Sequence, residues 1–137
     1  MYNASSLIVT NSTISRNNAE FCGGIFNDAS ASLVVNNSTI SGNFAGGIFN
    51  SDRATLTVTS STISGNRFPG GGGGGITDFG SSGIKDSTIC GNSAHDCGGF
   101  LALTPTPRVI LNTIIALNTA SVGSPDVNGN FNSLATI

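Results

Sequence analysis

The sequence is poor in charge and has no long apolar run. Only 9% of its 137 residues are charged and the formal net charge is −2, so no long-range attraction would draw the chain to nucleic acid or to an anionic membrane. No apolar run reaches the roughly 18 to 20 residues that cross a bilayer. Residues 1–6 also lack the basic and apolar segments of a secretion signal. We therefore expect no nucleic-acid partner and no transmembrane segment.

A motif of the form Ser-Thr-Ile-Ser-x-Asn returns along the chain at near-constant spacing. The intervals between its threonines are 26, 23, 26 and 25 residues (39−13, 62−39, 88−62 and 113−88). Such a period predicts a solenoid in which each coil buries its apolar face against its neighbours. We expect residues 1–137 to form one continuous repeat array. The marker threonines are Thr13, Thr39, Thr62, Thr88 and, in a looser copy, Thr113.

Within one repeat, the apolar pattern predicts two strands separated by a corner. Leu56-Thr57-Val58 alternates with period two, as a half-buried strand does. Ile63 follows Val58 by five positions, and an odd offset cannot lie on the same face of one unbroken strand. The same offset separates Val9 from Ile14, Val35 from Ile40, Ile84 from Ile89 and Val109 from Ile114.

A Gly-Gly-apolar motif predicts a third strand after a turn in which glycine permits positive φ. The motifs end at Ile25, Ile48, Ile76 and Phe100, which lie 8, 5, 10 and 8 residues after the preceding motif asparagine (25−17, 48−43, 76−66, 100−92). Insertions therefore collect at one edge. Together these features predict an all-β fold, a right-handed, single-stranded parallel β-helix of about five coils with three short strands each.

The asparagine that closes each motif is predicted to form a structural ladder. Stacked amides can hydrogen-bond along the solenoid axis, and asparagine tolerates the left-handed backbone of a tight turn. We interpret this column as a structural feature and not as a ligand site. Its members are Asn17, Asn43, Asn66, Asn92 and Asn118.

The paired motifs Gly-Gly-Ile and Ile-Ser-Gly-Asn resemble repeats of chlamydial polymorphic outer-membrane proteins, and more broadly bacterial β-helix repeat proteins with a pectin-lyase-like fold. The resemblance covers about residues 6–120. It implies a non-enzymatic structural or adhesive module of an extracellular or cell-surface bacterial protein, one that contacts carbohydrate or another protein. A segment that merely spaces other domains is a further alternative. Such proteins usually carry a signal sequence and an anchor, so we expect this chain to be a fragment of a longer protein.

A polysaccharide-active lyase or hydrolase is the alternative, because pectin-lyase-like folds often host such enzymes. Asp28, Asp52 and Asp78 follow the Gly-Gly-apolar strand in successive coils and could form a column at one edge. Glycoside hydrolysis needs two carboxylates about 5 to 9 Å apart in a cleft. The same aspartates could instead bind calcium through hard oxygen ligands. Against both, aspartate is common in turns, and the three offsets from the strand differ.

The cysteines allow few pairings in a solenoid. Cys22 and Cys97 would lie three coils apart, on the order of 14 Å, which is too far for a disulfide. Cys90 with Cys97 is the remaining pair. Zinc held by Cys90, Cys97 and His95 is disfavoured, because a structural zinc site needs four ligands at tighter spacing. We therefore predict no cofactor, with calcium at the aspartates left as the open alternative.

Two further patterns bear on ligand binding. The glycine run from Gly70 to Gly75 lacks the Lys-Ser/Thr pair and the helix of a phosphate-binding loop, and predicts a flexible bulge. The marker threonines are predicted to face outward beside a serine column, similar to ice-binding β-solenoids. That function needs a flat, regular hydroxyl array, whereas Cys90 and Ile115 interrupt the serine column and the coils vary in length.

Solenoid ends expose unpaired backbone and usually need caps. Neither residues 1–5 nor residues 129–137 show an amphipathic capping helix. We therefore expect aggregation or marginal stability for the isolated chain.

Overall fold

The structure, a computed structural model, describes residues 1–106 and 108–133 as a stack of parallel β-coils. These ranges contain twenty strands of two to five residues, and every strand pairing in them is parallel. They contain no helix, and hence none that could span a membrane. The predicted all-β parallel β-helix is confirmed. Its right-handed winding stays a prediction, and the part of the C-terminal cap prediction that concerns residues 134–137 lies outside the described residues.

Each coil contributes strands to three long sheets, which we name A, B and C in the order in which the chain meets them. Sheet A contains β1 (Tyr2–Asn3), β4 (Ile25–Asn27), β7 (Ile48–Asn50), β11 (Ile76–Asp78), β15 (Phe100–Ala102) and β19 (Val127–Asn128). Sheet B contains β2 (Ser6–Thr10), β5 (Ser32–Asn36), β8 (Thr55–Thr59), β12 (Ser81–Lys85), β16 (Arg108–Leu111) and β20 (Asn132–Ser133). Sheet C contains β3 (Thr13–Ser15), β6 (Thr39–Ser41), β9 (Thr62–Ser64), β13 (Thr88–Cys90) and β17 (Ile114–Ala116).

A fourth and shorter sheet, D, lies between sheet C and the next strand of sheet A. It occurs in the later coils, where an isolated bridge from Phe44 to Arg67 extends it by one coil. The predicted three strands per coil are thus confirmed and are joined by a short fourth one. Sheet D contains β10 (Arg67–Phe68), β14 (Ser93–Ala94) and β18 (Thr119–Ala120).

The core is a set of aliphatic columns inside the coils. Leu56 and Val58 of β8 are buried while Thr55 and Thr57 are exposed, as the period-two pattern predicts. Each fully buried isoleucine contributes about 1.5–3 kcal/mol relative to an exposed one. The core cluster consists of Val9, Ile25, Leu33, Val35, Ile40, Ile48, Leu56, Val58, Ile63, Ile76, Ile84, Ile89 and Phe100.

The predicted corner between sheets B and C is confirmed, and each coil makes it with one left-handed residue. These residues have φ between 44° and 50°, and they are Asn11, Asn37, Ser60, Asp86 and Asn112. A second left-handed residue follows sheet C, one position before the motif asparagine and not at the asparagine itself. The second set is Arg16, Gly42, Gly65, Gly91 and Leu117.

Of the paired glycines, Gly46 has the predicted positive φ of 98°, whereas the others are needed for close packing. Gly24 and Gly99 have no positive φ. A Cβ on Gly24 would lie 1.9 Å from the carbonyl oxygen of Gly47, and one on Gly99 would lie 2.2 Å from that of Asp126. Because no side chain fits between the neighbouring backbones, the positive-φ explanation was wrong at these positions.

The fifth copy of the motif is shifted by one residue from the predicted alignment. Thr88 pairs with Ile114 and Ile89 pairs with Ile115. Ile114, predicted to face inward, is 63% exposed, whereas Ile115 packs against the core. The intervals between paired positions are therefore 26, 23, 26 and 26 residues (39−13, 62−39, 88−62, 114−88).

Candidate functional site

The predicted asparagine ladder forms as one continuous hydrogen-bonded column. From Asn17 to Asn92, each side-chain amide donates to the side-chain oxygen of the next asparagine at 2.9–3.0 Å. That oxygen also accepts the backbone N–H of the donor residue at 2.9–3.0 Å. The side-chain amide also donates to a backbone carbonyl one coil back, as in the 3.0 Å bond from Asn66 to Ile40. The column runs from Asn17 through Asn43, Asn66 and Asn92 to Asn118.

The first ladder ends on a carboxylate. Asn118 donates its backbone N–H and its side-chain amide to Oδ1 of Asp126, at 3.1 and 2.9 Å. Asp126 lies only eight residues further on, so the chain itself supplies the last acceptor. The amides of this column are thus occupied by the fold, which supports their structural interpretation.

A second ladder lies inside sheet A and was missed in the sequence. Asn3 donates to Asn27 at 2.6 Å, Asn27 to Asn50 at 2.7 Å, and Asn50 to Asp78 at 2.7 Å. All four side chains are buried. A signal existed, because Asn27, Asn50 and Asp78 each follow the apolar residue of the Gly-Gly-apolar motif by two positions (25+2, 48+2, 76+2).

The second ladder ends in a fully buried ion pair. Oδ1 of Asp78 accepts hydrogen bonds from Asn50 and from the Gly80 N–H, while Oδ2 accepts from Ser82 at 2.7 Å and from Nε of Arg108 at 2.8 Å. Asp78 and Arg108 are both 0% exposed. An ionised aspartate has no hydrogen-bond donor, so the ladder cannot continue beyond Asp78. The guanidinium of Arg108, from the next coil, pairs with the carboxylate at this end. The other guanidinium nitrogens bond the carbonyls of Asp78 and Gly80 and groups of Thr104 and Thr106.

The predicted aspartate column does not form. Relative to the register positions of sheet A at Asn27, Asn50 and Asp78, the aspartates lie one, two and zero residues further along (28−27, 52−50, 78−78). Asp28 accepts a hydrogen bond from the Tyr2 hydroxyl, which holds the pKa of that carboxyl below its usual value and raises the pKa of the phenol. Asp52 pairs with Arg53 at 3.0 Å in solvent, and Asp78 is buried in the ion pair above. The three carboxylates therefore do not form one site.

The cysteines remain separate. Cys22, Cys90 and Cys97 are all free, so the remaining disulfide candidate, Cys90 with Cys97, is not formed. Cys90 ends a strand of sheet C and is partly exposed, whereas Cys97 is buried before sheet A. Burial raises the pKa of Cys97, and it raises the pKa of Cys22 to about 11.

Metal-binding clusters are absent from residues 1–106 and 108–133: no group of three or more His, Cys, Asp or Glu side chains there could hold an ion. His95 instead contacts the neighbouring Asp96 at 2.7 Å. Hydrogen bonds from His95 and from the Gly72 N–H lower the pKa of Asp96. The Gly73 N–H donates to Thr77 at 2.7 Å. These bonds tie the glycine run to Thr77 in its own coil and to Asp96 in the next coil.

A groove of about 360 Å³ runs along sheet D. Arg67, Ser93 and Thr119 line it in strand register, one from each of three successive coils. Pro69, Ser121 and two alanines complete the lining. The described part of the chain contains four ion pairs and Arg67 takes part in none of them. The groove thus offers one unpaired guanidinium beside three hydroxyls.

An aromatic stripe covers the outer face of sheet A at its N-terminal end. Tyr2 and Phe26 stack at 5.6 Å between ring centroids, and Phe26 and Phe49 stack at 5.2 Å. Phe79 extends the stripe, and Phe21 packs across it. The rings pack against one another along the solenoid axis. Tyr2 and Phe21 nevertheless remain more than half exposed.

Comparison with known protein families, with curated proteins and with solved structures finds no match for this chain. The fold is therefore established by the coils themselves, and the resemblance to pectin-lyase-like repeat proteins rests on the motifs alone.

Proposed function

We propose that this chain is a non-enzymatic, adhesive β-helix module of an extracellular or cell-surface bacterial protein, of the pectin-lyase-like kind, and that it contacts carbohydrate. The observation that carries the proposal is the groove of sheet D. Arg67, Ser93 and Thr119 lie on three paired strands, so little backbone freedom is lost on binding.

The chemistry of the groove suits a glycan. Hydroxyls of Ser93, Thr119 and Ser121 can each donate and accept hydrogen bonds, which matches the hydroxyls of a sugar. Arg67 adds a planar guanidinium whose N–H donors can bind sugar oxygens or a carboxylate. Phe44, bridged to Arg67 from the preceding coil and 43% exposed, provides an aromatic surface at one end.

The enzymatic alternative receives less support from the geometry. It was predicted on Asp28, Asp52 and Asp78, and the structure gives these residues three different environments. The buried carboxylate of Asp78 has all its hydrogen bonds within the protein. The adhesive module is therefore the function that we put forward.

Binding of the full 137-residue chain to a panel of neutral and acidic oligosaccharides, measured by glycan array and by calorimetry, tests the proposal. We expect at least one glycan to bind and Arg67→Gln to weaken that binding about tenfold or more, the effect of losing one charge-assisted hydrogen bond. Arg53→Gln, in an exposed pair on another corner, is the matched control and should bind like the parent. No binding across the panel, or an equal loss of binding in both variants, would refute the proposal that the groove binds a glycan.

A further inference from the structure

Sheet C carries a second surface that the proposed function does not use. Its strands read Thr-Ile-Ser in three successive coils, then Thr-Ile-Cys and Ile-Ile-Ala. The isoleucine of each Thr-Ile-Ser strand faces the core, so the threonine and the serine face outward. Strand register places Thr13, Thr39, Thr62 and Thr88 in one column, and Ser15, Ser41 and Ser64 in a parallel one.

The hydroxyls of this face have no protein partner among the described residues. The neighbouring corner serines behave differently: Ser38 and Ser61 each donate to a carbonyl two residues back, at 2.7–2.8 Å, and accept an N–H from the preceding coil at 3.1 Å. No side-chain hydrogen bond is made by the seven hydroxyls of the face, which belong to Thr13, Thr39, Thr62, Thr88, Ser15, Ser41 and Ser64. One serine column is thus structural, while the Thr–Ser face is left free for water.

Two features of the face favour ordered water as its ligand. The strands of sheet C contain no charged residue. Water on this face is therefore not oriented by the electric field of a charged side chain. They contain no aromatic residue either, and aromatic rings are the usual platform for the flat face of a sugar. The stacked aromatic stripe of Tyr2, Phe26 and Phe49 lies on the outer face of sheet A instead.

The spacing of the hydroxyls is regular and rigid. Neighbouring strands lie about 4.8 Å apart, and threonine and serine two residues apart along a strand are separated by about 6.7 Å. These repeats are of the same order as those between oxygen atoms on an ice surface. Threonine is stiff at χ1, so its hydroxyl and methyl hold their positions without a large loss of entropy on binding.

We propose that the outward Thr–Ser face of sheet C binds ice. The sequence offered two arguments against this: varying coil length and interruption of the serine column. The register removes the first, because β3, β6, β9 and β13 align without a bulge while the extra residues lie elsewhere. The interruption at Cys90 and Ala116 affects the C-terminal end of the face and leaves three complete Thr–Ser rows.

Thermal hysteresis and inhibition of ice recrystallisation by the full chain test this proposal. We expect both activities in the parent and their loss in Thr39→Tyr, whose ring would stand out of the middle of the face. Thr57→Tyr places the same ring on the outward face of sheet B and should keep both activities. Far-UV circular dichroism checks that both variants fold, and Thr62→Val, which removes one hydroxyl at nearly constant shape, should reduce the activities without altering the fold.

Three results would overturn the proposal. The first is a folded parent without activity on ice, and the second is equal loss in Thr39→Tyr and Thr57→Tyr. The third is adsorption to microcrystalline cellulose that Thr39→Tyr abolishes, with no effect on ice, which would assign the face to a polysaccharide. Oligosaccharide binding in the sheet D groove should be the same in Thr39→Tyr as in the parent, so the two proposals can fail separately.

Discussion

The two polar ladders of this solenoid have the same repeat but different ends. The ladder after sheet C uses asparagines from Asn17 to Asn118 and ends on Asp126, which is partly exposed. The ladder inside sheet A ends on Asp78, which is fully buried and needs Arg108. An aspartate can therefore close an amide ladder, but burial decides whether it also requires a cation.

Both ladders end on an aspartate because of the hydrogen-bond capacity of each group, and burial then sets the two ends apart. An asparagine accepts from one neighbour and donates to the next, so a column of them is neutral and has no fixed length. An aspartate only accepts, and in a buried site its charge is costly unless it is paired and fully hydrogen-bonded. The stability of the sheet A ladder therefore depends on one buried ion pair, Asp78 with Arg108.

The largest expected effect is at the buried ion pair. Arg108→Met should lower the free energy of unfolding of the full chain by about 3–5 kcal/mol, because it leaves the Asp78 carboxylate buried without its cation. Urea denaturation followed by circular dichroism measures the loss.

The double variant Asp78→Asn/Arg108→Met sharpens the first prediction. It removes both charges and keeps an acceptor for the Asn50 amide, so it should recover much of the lost stability. A single variant within about 1 kcal/mol of the parent would show that the buried charge is tolerated without Arg108 and that the two ladder ends are energetically alike.

A smaller loss is expected from the middle of the neutral ladder. Asn66→Ala removes donors to Asn92 and Ile40 and an acceptor for two N–H groups of Asn43, all in a buried column. We expect a loss of about 2–4 kcal/mol in the same denaturation experiment. Asn36→Ala, at an exposed position of sheet B, is the control and should change stability by less than about 0.5 kcal/mol. Equal losses in the two variants would mean that the ladder bonds contribute no net stability.

Much of this architecture could be predicted because its cause is local and periodic. The odd offset from Val58 to Ile63 places a corner in every coil, and the structure has it there. The ladder after sheet C was predicted because its asparagines close the most regular motif. The sheet A ladder was missed because Asp78 replaces asparagine in it and was grouped with Asp28 and Asp52, which lie at other register positions.

Long-range partners and register could not be predicted in the same way. Arg108 lies 30 residues from Asp78, and no local pattern joins the two. The shift of the fifth motif copy moved Ile115 inward and Ile114 outward, because the motif in that coil has isoleucine in both positions. The groove of sheet D likewise depends on a short sheet that no periodic signal marked.

The smallest expected effect is at the partly exposed ladder end. Variants of Asp126 test whether its charge is needed for stability. Asp126→Asn retains an oxygen that can accept both hydrogen bonds from Asn118, so the free energy of unfolding should change by less than about 0.5 kcal/mol. Asp126→Ala removes the acceptor and should cost about 1–2 kcal/mol, since Asn118 is buried and loses two bonds. If asparagine proves as costly as alanine, the ladder needs a carboxylate at this end as well, and the contrast with Asp78 would then concern only the counter-ion. If both are neutral, water replaces the acceptor, as partial exposure of Asp126 would permit.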